Sequence, residues 1–599
     1  MKKRLLSLLL CLALLCAGCA PAQAPQQSEA PALSESPATE APAASEEPAA
    51  LFTAGTYPVT VTGHNGPMTV EVTFGENTIE AIAVTAQSES PALGTVAMDD
   101  VTAQILANQS LDVDMVAGAT ISGAALLQAV KTAVADAGGD AAAFSAPVER
   151  EQPSTQDVTC DVVVVGSGSA GMAAAAEAGE LGLNVILVEQ LGLLGGSSVR
   201  TGFLNGGGTK VQAEKGISYT TEQMVDYFVS SGEEGDPLYN AETARLIGEE
   251  AGKNIDWLYE TVGVSFGEVK NEFQHRGPNA ARLGPYLISG LQSYLDQLGV
   301  EYRLNTTAKE ILMENGAVSG LRVENAAGPY TIHTKNVILA TGGYFGSQEM
   351  VAQYNPAFVG YPTDVCKGAD GSGMKMAESV GGVLIEMDKA NYHGIATTYN
   401  GGSRSMQTAI NSGAIIVNAE GKRFVNEKAA YETVAFAVLE QTDGHAFCIL
   451  DQTLMDYDSI KNDVGLSGIT EMYTKADTLE ELVEKMGIDA EGLKATLESY
   501  KTYVANGEDA EFGRAASSMN SDLSTPPYYA VLGSPETHTV KGGVVVDQNA
   551  HALDSQGAQI PGLYAAGEVA ASHVNGASTN TVCVVMGRIA AQQVAESLK

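Results

Sequence analysis

Residues 161–189 read Asp161-Val-Val-Val-Val-Gly166-Ser-Gly168-Ser-Ala-Gly171-Met-Ala-Ala-Ala-Ala-Glu-Ala-Gly-Glu-Leu-Gly182-Leu-Asn-Val-Ile-Leu-Val-Glu189. The apolar valine run predicts a strand, and the alanine-rich stretch after the glycines predicts a helix that closes at Gly182. A second apolar run then ends on Glu189, so the segment is a βαβ unit. Glycine-rich turns are common, and the motif alone is weak; the strand before it and the helix after it give it weight. Gly166 permits the tight turn, Gly168 lets a pyrophosphate reach the backbone, and Gly171 lets the helix pack closely on the strand. The helix N-terminus supports phosphate charge, and Glu189 is placed to accept hydrogen bonds from ribose hydroxyls. The competing reading is a βαβ turn with a structural role only.

The rest of the 599-residue chain is long enough for several domains. Its 72 acidic against 33 basic residues, a formal charge of -39, argue against binding of nucleic acid or of an anionic membrane through the protein surface. The first residues, MKKRLLSLLLCLALLCAGC, set Lys2, Lys3 and Arg4 before an apolar run from Leu5 to Cys16. That run is shorter than the roughly 20 apolar residues needed to span a bilayer, and it reads as an export signal. Its end, Ala17-Gly18-Cys19, resembles a bacterial lipobox, although Cys16 stands where Leu is usual. Cys19 is therefore the expected lipidation site, with simple secretion as the alternative. Beyond it only Cys160, Cys366, Cys448 and Cys583 occur, with no CxxC and no CxxCH, so neither a disulfide framework, a metal site nor an attached haem is expected.

Residues 1–19 are thus a signal peptide, and residues 20–52, rich in Ala, Pro, Ser and Glu, are a disordered tether. From 53 to 140 alternating β-type runs are broken at Asn65-Gly66 and at Gly75-Glu-Asn77, and a helical pattern covers Ile121 to Ala137. An Ala/Pro/Glu-rich linker takes residues 141–158. Within the 53–140 segment, Asp114-Met-Val-Ala-Gly-Ala-Thr120 resembles the attachment motif of FMN-binding domains, departing from it only at Ala117. The resemblance implies a small α+β domain with FMN esterified to Thr120 by a flavin transferase. The alternative is a Gly-Ala turn whose Thr120 caps the helix.

Further motifs follow in order: Gly195-Gly-Ser-Ser198, Asn336-Val-Ile-Leu-Ala-Thr-Gly-Gly343, Gly368-Ala-Asp370-Gly and Gly567-Glu568. Together with the βαβ unit they resemble the FAD-dependent flavoprotein family of fumarate reductases, urocanate reductase and ketosteroid dehydrogenases. That resemblance, covering about residues 159–599, implies an α/β fold: a Rossmann-like FAD domain at 159–385 and 532–599, interrupted by an α+β substrate cap at 386–531. It also implies FAD contacts at Gly166, Gly168, Ala170, Gly171, Glu189, Ser197, Ser198, Ala308, Asp370, Glu568, Thr581 and Val582.

Inside the cap, Gly413 to Glu432 reads GAIIVNAEGKRFVNEKAAYE and resembles the fumarate reductase segment that carries an active-site Arg as proton donor. Here that position is Tyr431. The acid and Arg of the proton relay fall on Gln407 and Ile410, the substrate-binding Arg is replaced within Gly576-Ala-Ser-Thr-Asn580, and a binding His falls on Thr539 beside His538. A dicarboxylate needs fixed guanidinium partners, so fumarate is not the expected substrate. A phenol, with an ordinary pKa of about 10, can still donate a proton to carbon, which makes Tyr431 the candidate acid; the alternative is a Tyr that packs the cap. His393, near the family's HPT position, is the candidate binding residue or a structural His. Arg404, Lys541 and His538 are further sources of charge, and Glu427 is expected to hold the RFVNE loop.

These readings predict an exported, membrane-tethered reductase that takes electrons from a membrane donor and passes them to a small-molecule acceptor with an activated C=C bond: an enoate, aryl acrylate or enone. A ketosteroid-dehydrogenase-like desaturase and a non-catalytic flavin electron carrier are the alternatives.

Overall fold

The computed structural model describes residues 50–89, 93–116, 119–148, 153–232, 235–399, 402–461 and 472–599. The signal peptide, Cys19 and the tether as far as residue 49 lie outside the described residues, as do Ala117 and Gly118. No helix among the described residues is long and apolar enough to cross a membrane.

Strands Gly55–Thr62, Pro67–Phe74 and Ile79–Ala86 form an antiparallel meander whose turns fall at the expected glycines. The alternation along Pro67–Phe74 buries Met68, Val70, Val72 and Phe74 against helices Gly94–Asn108 and Thr120–Asp136. The linker begins attached to this domain: Phe144 packs on Phe52 with ring centroids 4.8 Å apart, and its carbonyl accepts from the Leu111 amide at 2.6 Å.

In the main domain the parallel strands Val162–Val165, Val185–Val188, Glu301–Arg303, Val337–Leu339 and Gln559–Ala565 form one sheet, edged by antiparallel His551–Leu553. The valine run is buried on both faces because each face has its own cover. Val162 and Val164 pack with the alanines of helix Ser169–Glu180 and with helix Thr579–Ser597, while Val163 and Val165 pack with the meander Thr307–Glu314, Ala317–Asn325 and Gly328–His333. The turn between strand and helix is fixed by contact. Gly166 has φ +96°, and a Cβ on Gly171 would sit 1.8 Å from the Gly166 carbonyl oxygen.

The cap is an antiparallel sheet in the order Gly402–Ser405, Ala390–Tyr399, Tyr528–Val540, Ala446–Asp451, Ile415–Val417. Tyr528–Val540 carries the chain across residue 531, the expected end of the cap, so the return to the main domain is a continuous strand rather than a loop. Behind the sheet the RFVNE element is pinned by a buried ionic cluster. Arg423 gives two 2.8 Å hydrogen bonds to Glu427 and one to Asp509, and Arg514 reaches Glu427 at 3.3 Å. Glu427 therefore holds the loop leading to Tyr431, which opens helix Tyr431–Leu439.

Gly171→Ala is expected to shift the helix off the turn, costing about 1–3 kcal/mol of stability or more, and to yield protein without bound FAD. The visible flavin absorbance of the purified variant checks this; retention of FAD at wild-type stoichiometry contradicts it.

Candidate functional site

One cavity of about 630 Å³ begins at the Gly166–Ala170 turn and ends under the cap. Gly166, Gly168, Ala170, Glu189, Ser197, Ser198, Ala308 and Glu568 line it. A Cβ on Gly168 would meet only Ser198 Oγ, at 3.5 Å, so this face of the turn is open to a phosphate. Ser198 Oγ accepts from the Ser169 amide at 3.0 Å, and Ser197 Oγ from the Cys366 amide at 2.9 Å, which fixes the 195–198 segment across the turn. Glu189 accepts at 2.9 Å from the Ser167 amide and at 2.8 Å from the Leu191 amide, so it braces the turn as well as facing the cavity.

Three expected contacts stand behind this wall. Gly171 packs against the turn, Asp370 accepts from the Ser372 amide at 2.9 Å, and Thr581 Oγ1 accepts from the Asn205 amide at 2.8 Å. Val582 is buried beside Glu568 and Ala577, on a small void adjoining the cavity. Glu568 accepts from the Val540 amide at 2.8 Å, yet burial pushes its carboxyl up to about 7. The open glycine face and the cavity's reach from the turn to the cap suit FAD.

At the far end stand Tyr431, His393, His538, Asn391, Thr539 and Lys541. Tyr431 is 41% exposed, and it lines the cavity; the desolvation it still feels raises its pKa, so it holds its proton at neutral pH. His393 sits with its ring centroid 5.7 Å from Tyr431 and its Nδ1 2.6 Å from Glu536 Oε1. His538 stacks on His393 at 4.3 Å, and its Nδ1 lies 2.9 Å from both Asp364 oxygens. Burial pulls the His538 imidazole down, but the Asp364 carboxylate outweighs it and the net shift is upward. For Asp364 burial is likewise outweighed by His538, and its carboxyl is held below the ordinary range.

Asp364, His393 and His538 bring potential ligand atoms within 4.8 Å of one another. Each imidazole is already turned toward a carboxylate, and the two rings stack rather than splay around a common point. Sequence spacing hid Asp364 and Glu536 because their partners come from other strands. The one available signal was Glu536 two residues before His538 in a strand, which puts both on one face.

The lost relay positions are inert here: Ile410 is in the cap core and Gln407 donates to Asn411 at 3.1 Å. Arg404 lies outside the cavity wall and instead contacts His64 of the N-terminal domain at 3.2 Å. Among the described residues Arg200 is the one Arg lining the cavity, and its terminal nitrogens donate to the Asp364 and Ser403 carbonyls at 3.0 and 3.2 Å.

Thr120 is the first residue of its helix and is exposed; Ala119 occupies the capping position and no side chain caps. The Thr120 hydroxyl reaches back weakly to the Val116 carbonyl at 3.4 Å, so it is not spent as a cap. Ala119, Val116 and Ala97 pack on Leu193, two residues before the Gly195-Gly196 rim of the cavity. An exposed hydroxyl at a helix N-terminus fits a phosphate ester.

Known proteins agree with this layout. The family described as FAD binding domain matches residues 161–580, and the FMN-binding domain matches residues 63–135. Urocanate reductase of Eggerthella lenta is 34% identical over 567 residues, spanning 90% of this chain and 91% of its own. NADH:acrylate oxidoreductase of Vibrio harveyi is 27% identical over 86% of this chain and 58% of its own. The open conformation of a flavocytochrome c3 fumarate reductase superposes with a TM-score of 0.64 at 31% identity, over 73% of this chain and 78% of that one.

The pairing of His538 with Asp364 carries a pH signature. Because the folded pKa of His538 lies above its ordinary 6.5, the stabilisation is complete below pH 6.5 and is lost as pH rises through the raised value. Because that of Asp364 lies below 3.8, its share persists until pH falls well under that value. Asp364→Asn should therefore lower the melting temperature more at pH 6 than at pH 9; an equal loss at both would rule out ion pairing.

Proposed function

Since the chain belongs to the FAD-binding flavoprotein family that includes urocanate reductase and the flavocytochrome fumarate reductases, and is a flavin-dependent oxidoreductase acting on C=C bonds, we propose that it reduces an enoate, aryl acrylate or enone. One observation carries this reading: the cavity that opens at the glycine turn ends on Tyr431 and His393. The glycine turn and the 195–198 segment would hold FAD, which when bound would supply the hydride, and FMN on the N-terminal domain would serve as the route for electrons from a membrane donor.

The chain's own part is proton delivery and exclusion. Tyr431 donates its phenolic proton to the carbon adjacent to the one that receives hydride, and His393, oriented by Glu536, faces the substrate carbonyl or carboxylate. Fumarate is disfavoured because Arg200 is committed to backbone carbonyls, and it is the one Arg lining the cavity among the described residues, so none of these offers a guanidinium to clamp a second carboxylate. Packing of Ala119 on Leu193 supports a short path from Thr120 to the cavity.

Anaerobic reoxidation of the reduced holoprotein by a panel of enoates, cinnamates and enones tests the reading; reoxidation by none, with both flavins present, sinks it. In Tyr431→Phe alkene reduction should fall by about 10²–10⁴-fold while dye-linked electron transfer persists. Unchanged turnover removes Tyr431 from the role.

We also propose covalent FMN on Thr120, placed by a flavin transferase, and a lipid anchor on Cys19 that holds the protein at the outer face of a bacterial cell membrane. The uncapped, exposed Thr120 hydroxyl and the leader ending in Ala17-Gly18-Cys19 support these assignments. Intact mass measurement of mature protein reads both. Thr120→Ala should lose the mass of FMN and keep that of the lipid, and retention of the FMN mass in the variant refutes the attachment site.

A further inference from the structure

We infer that Lys541 is the anchor for a single carboxylate on the substrate, which makes the natural acceptor an α,β-unsaturated monocarboxylate rather than a neutral enone. The inference rests on the reductase reading above and narrows its substrate class.

Lys541 is the residue immediately after the cap strand Tyr528–Val540, and its backbone is held from both sides. Its own amide donates to the Lys389 carbonyl at 2.9 Å, and the preceding Val540 amide donates to Glu568 at 2.8 Å. The residue lines the same cavity as Tyr431 and His393. Among the described residues no carboxylate pairs with its ammonium and no hydrogen bond engages it.

The other charges of the cavity are accounted for. Arg200 donates to carbonyls, His538 is matched by Asp364, His393 by Glu536, Glu189 is bound to the turn, and Glu568 accepts from the Val540 amide while burial raises its carboxyl to about 7. His573 lines the cavity at the Lys541 end. Burial, with the nearby Lys541 ammonium, lowers its pKa to about 4, so the imidazole is neutral at neutral pH, with Nε2 3.1 Å from Asn575 Oδ1. Among the described residues one positive charge without a partner thus remains in the cavity, that of Lys541. A half-buried cation on a cavity wall favours an anion, and a lone ammonium suits one carboxylate rather than two. Pocket walls of this kind set orientation: a carboxylate held at Lys541 places the alkene beside Tyr431 and His393, which stand at the same end of the cavity.

The charge that Lys541 meets could belong to the substrate or to the reduced cofactor, and the test separates the two. The probes are cinnamate and its methyl ester, assayed with the wild-type holoprotein, Lys541→Gln and Lys541→Arg. A charge-assisted hydrogen bond is worth about 10- to 100-fold in binding, so Lys541→Gln should raise KM for cinnamate by that factor and leave the ester's kcat/KM unchanged. Lys541→Arg should stay within a few-fold of wild type for both. Equal losses on acid and ester, accompanied by a shift in the FAD potential, overturn the inference and assign the charge to the cofactor. No change with either probe also overturns it. If wild type turns over neither probe, the flavin absorbance change on adding cinnamate decides. Tight binding that Lys541→Gln weakens upholds the anchor even though turnover has failed, and binding that the variant does not alter removes it.

Discussion

The main domain is organised by how closely a helix approaches a turn. With Gly166 in the left-handed region and 1.8 Å between its carbonyl oxygen and any Cβ at 171, helix Ser169–Glu180 seats only when residue 171 has no side chain. That seat lines up the alanines of the helix with Val162 and Val164, closes one face of the sheet, and leaves the opposite side of the turn open beside Gly168. The phosphate-binding geometry and the core packing are one constraint met twice. The cap strands then reach the cavity from a second, independently braced sheet, whose brace is the Arg423–Glu427–Asp509–Arg514 cluster.

Two sets of buried charge around the cap have different physical consequences. The cap cluster is closed on itself: each guanidinium meets carboxylates or carbonyls, and nothing in it faces the cavity, so its effect is to hold geometry at a desolvation cost. The imidazole and carboxylate couples at the cavity end are open on one side. His393 and His538 each give one ring nitrogen to a carboxylate, and the rings stand against each other at the cavity wall. Such couples fix the orientation of both rings at the cavity wall.

Much of the fold was legible because it is written in short-range patterns. The valine run, the glycine turn and the alanine helix each state a local requirement, and the alternation from Gly55 to Ala86 does the same for the small domain. Tyr431 was reachable through one motif read in register. The partners that give the site its character were not. Asp364 sits in a segment with no pattern of its own, and it matters only because it meets His538, 174 residues away. Arg404 carried the right charge for a substrate contact, yet the hairpin that bears it turns it to His64 in the other domain. Composition reports which charges exist, while strand pairing decides which of them face a common space.

The continuous strand Tyr528–Val540 sets the terms for any attempt to exchange parts between relatives. A cut at residue 531 would sever a strand that pairs with Ala446–Asp451 from Tyr528 to Gly533 and with Ala390–Tyr399 from Ser534 to Val540, the second pairing with irregularities at Asn391/Tyr392 and His393/Ala396. A transplantable cassette must instead begin before Ala390 and end after Val540. Drawn that way it carries His393, Tyr431, Glu536 and His538 together, with Lys541 as the first residue past the seam, while the glycine turn stays with the recipient. The proton donor and both imidazoles would travel as one block, while Lys541, the Asp364 partner of His538 and the cofactor scaffold would be supplied by the recipient.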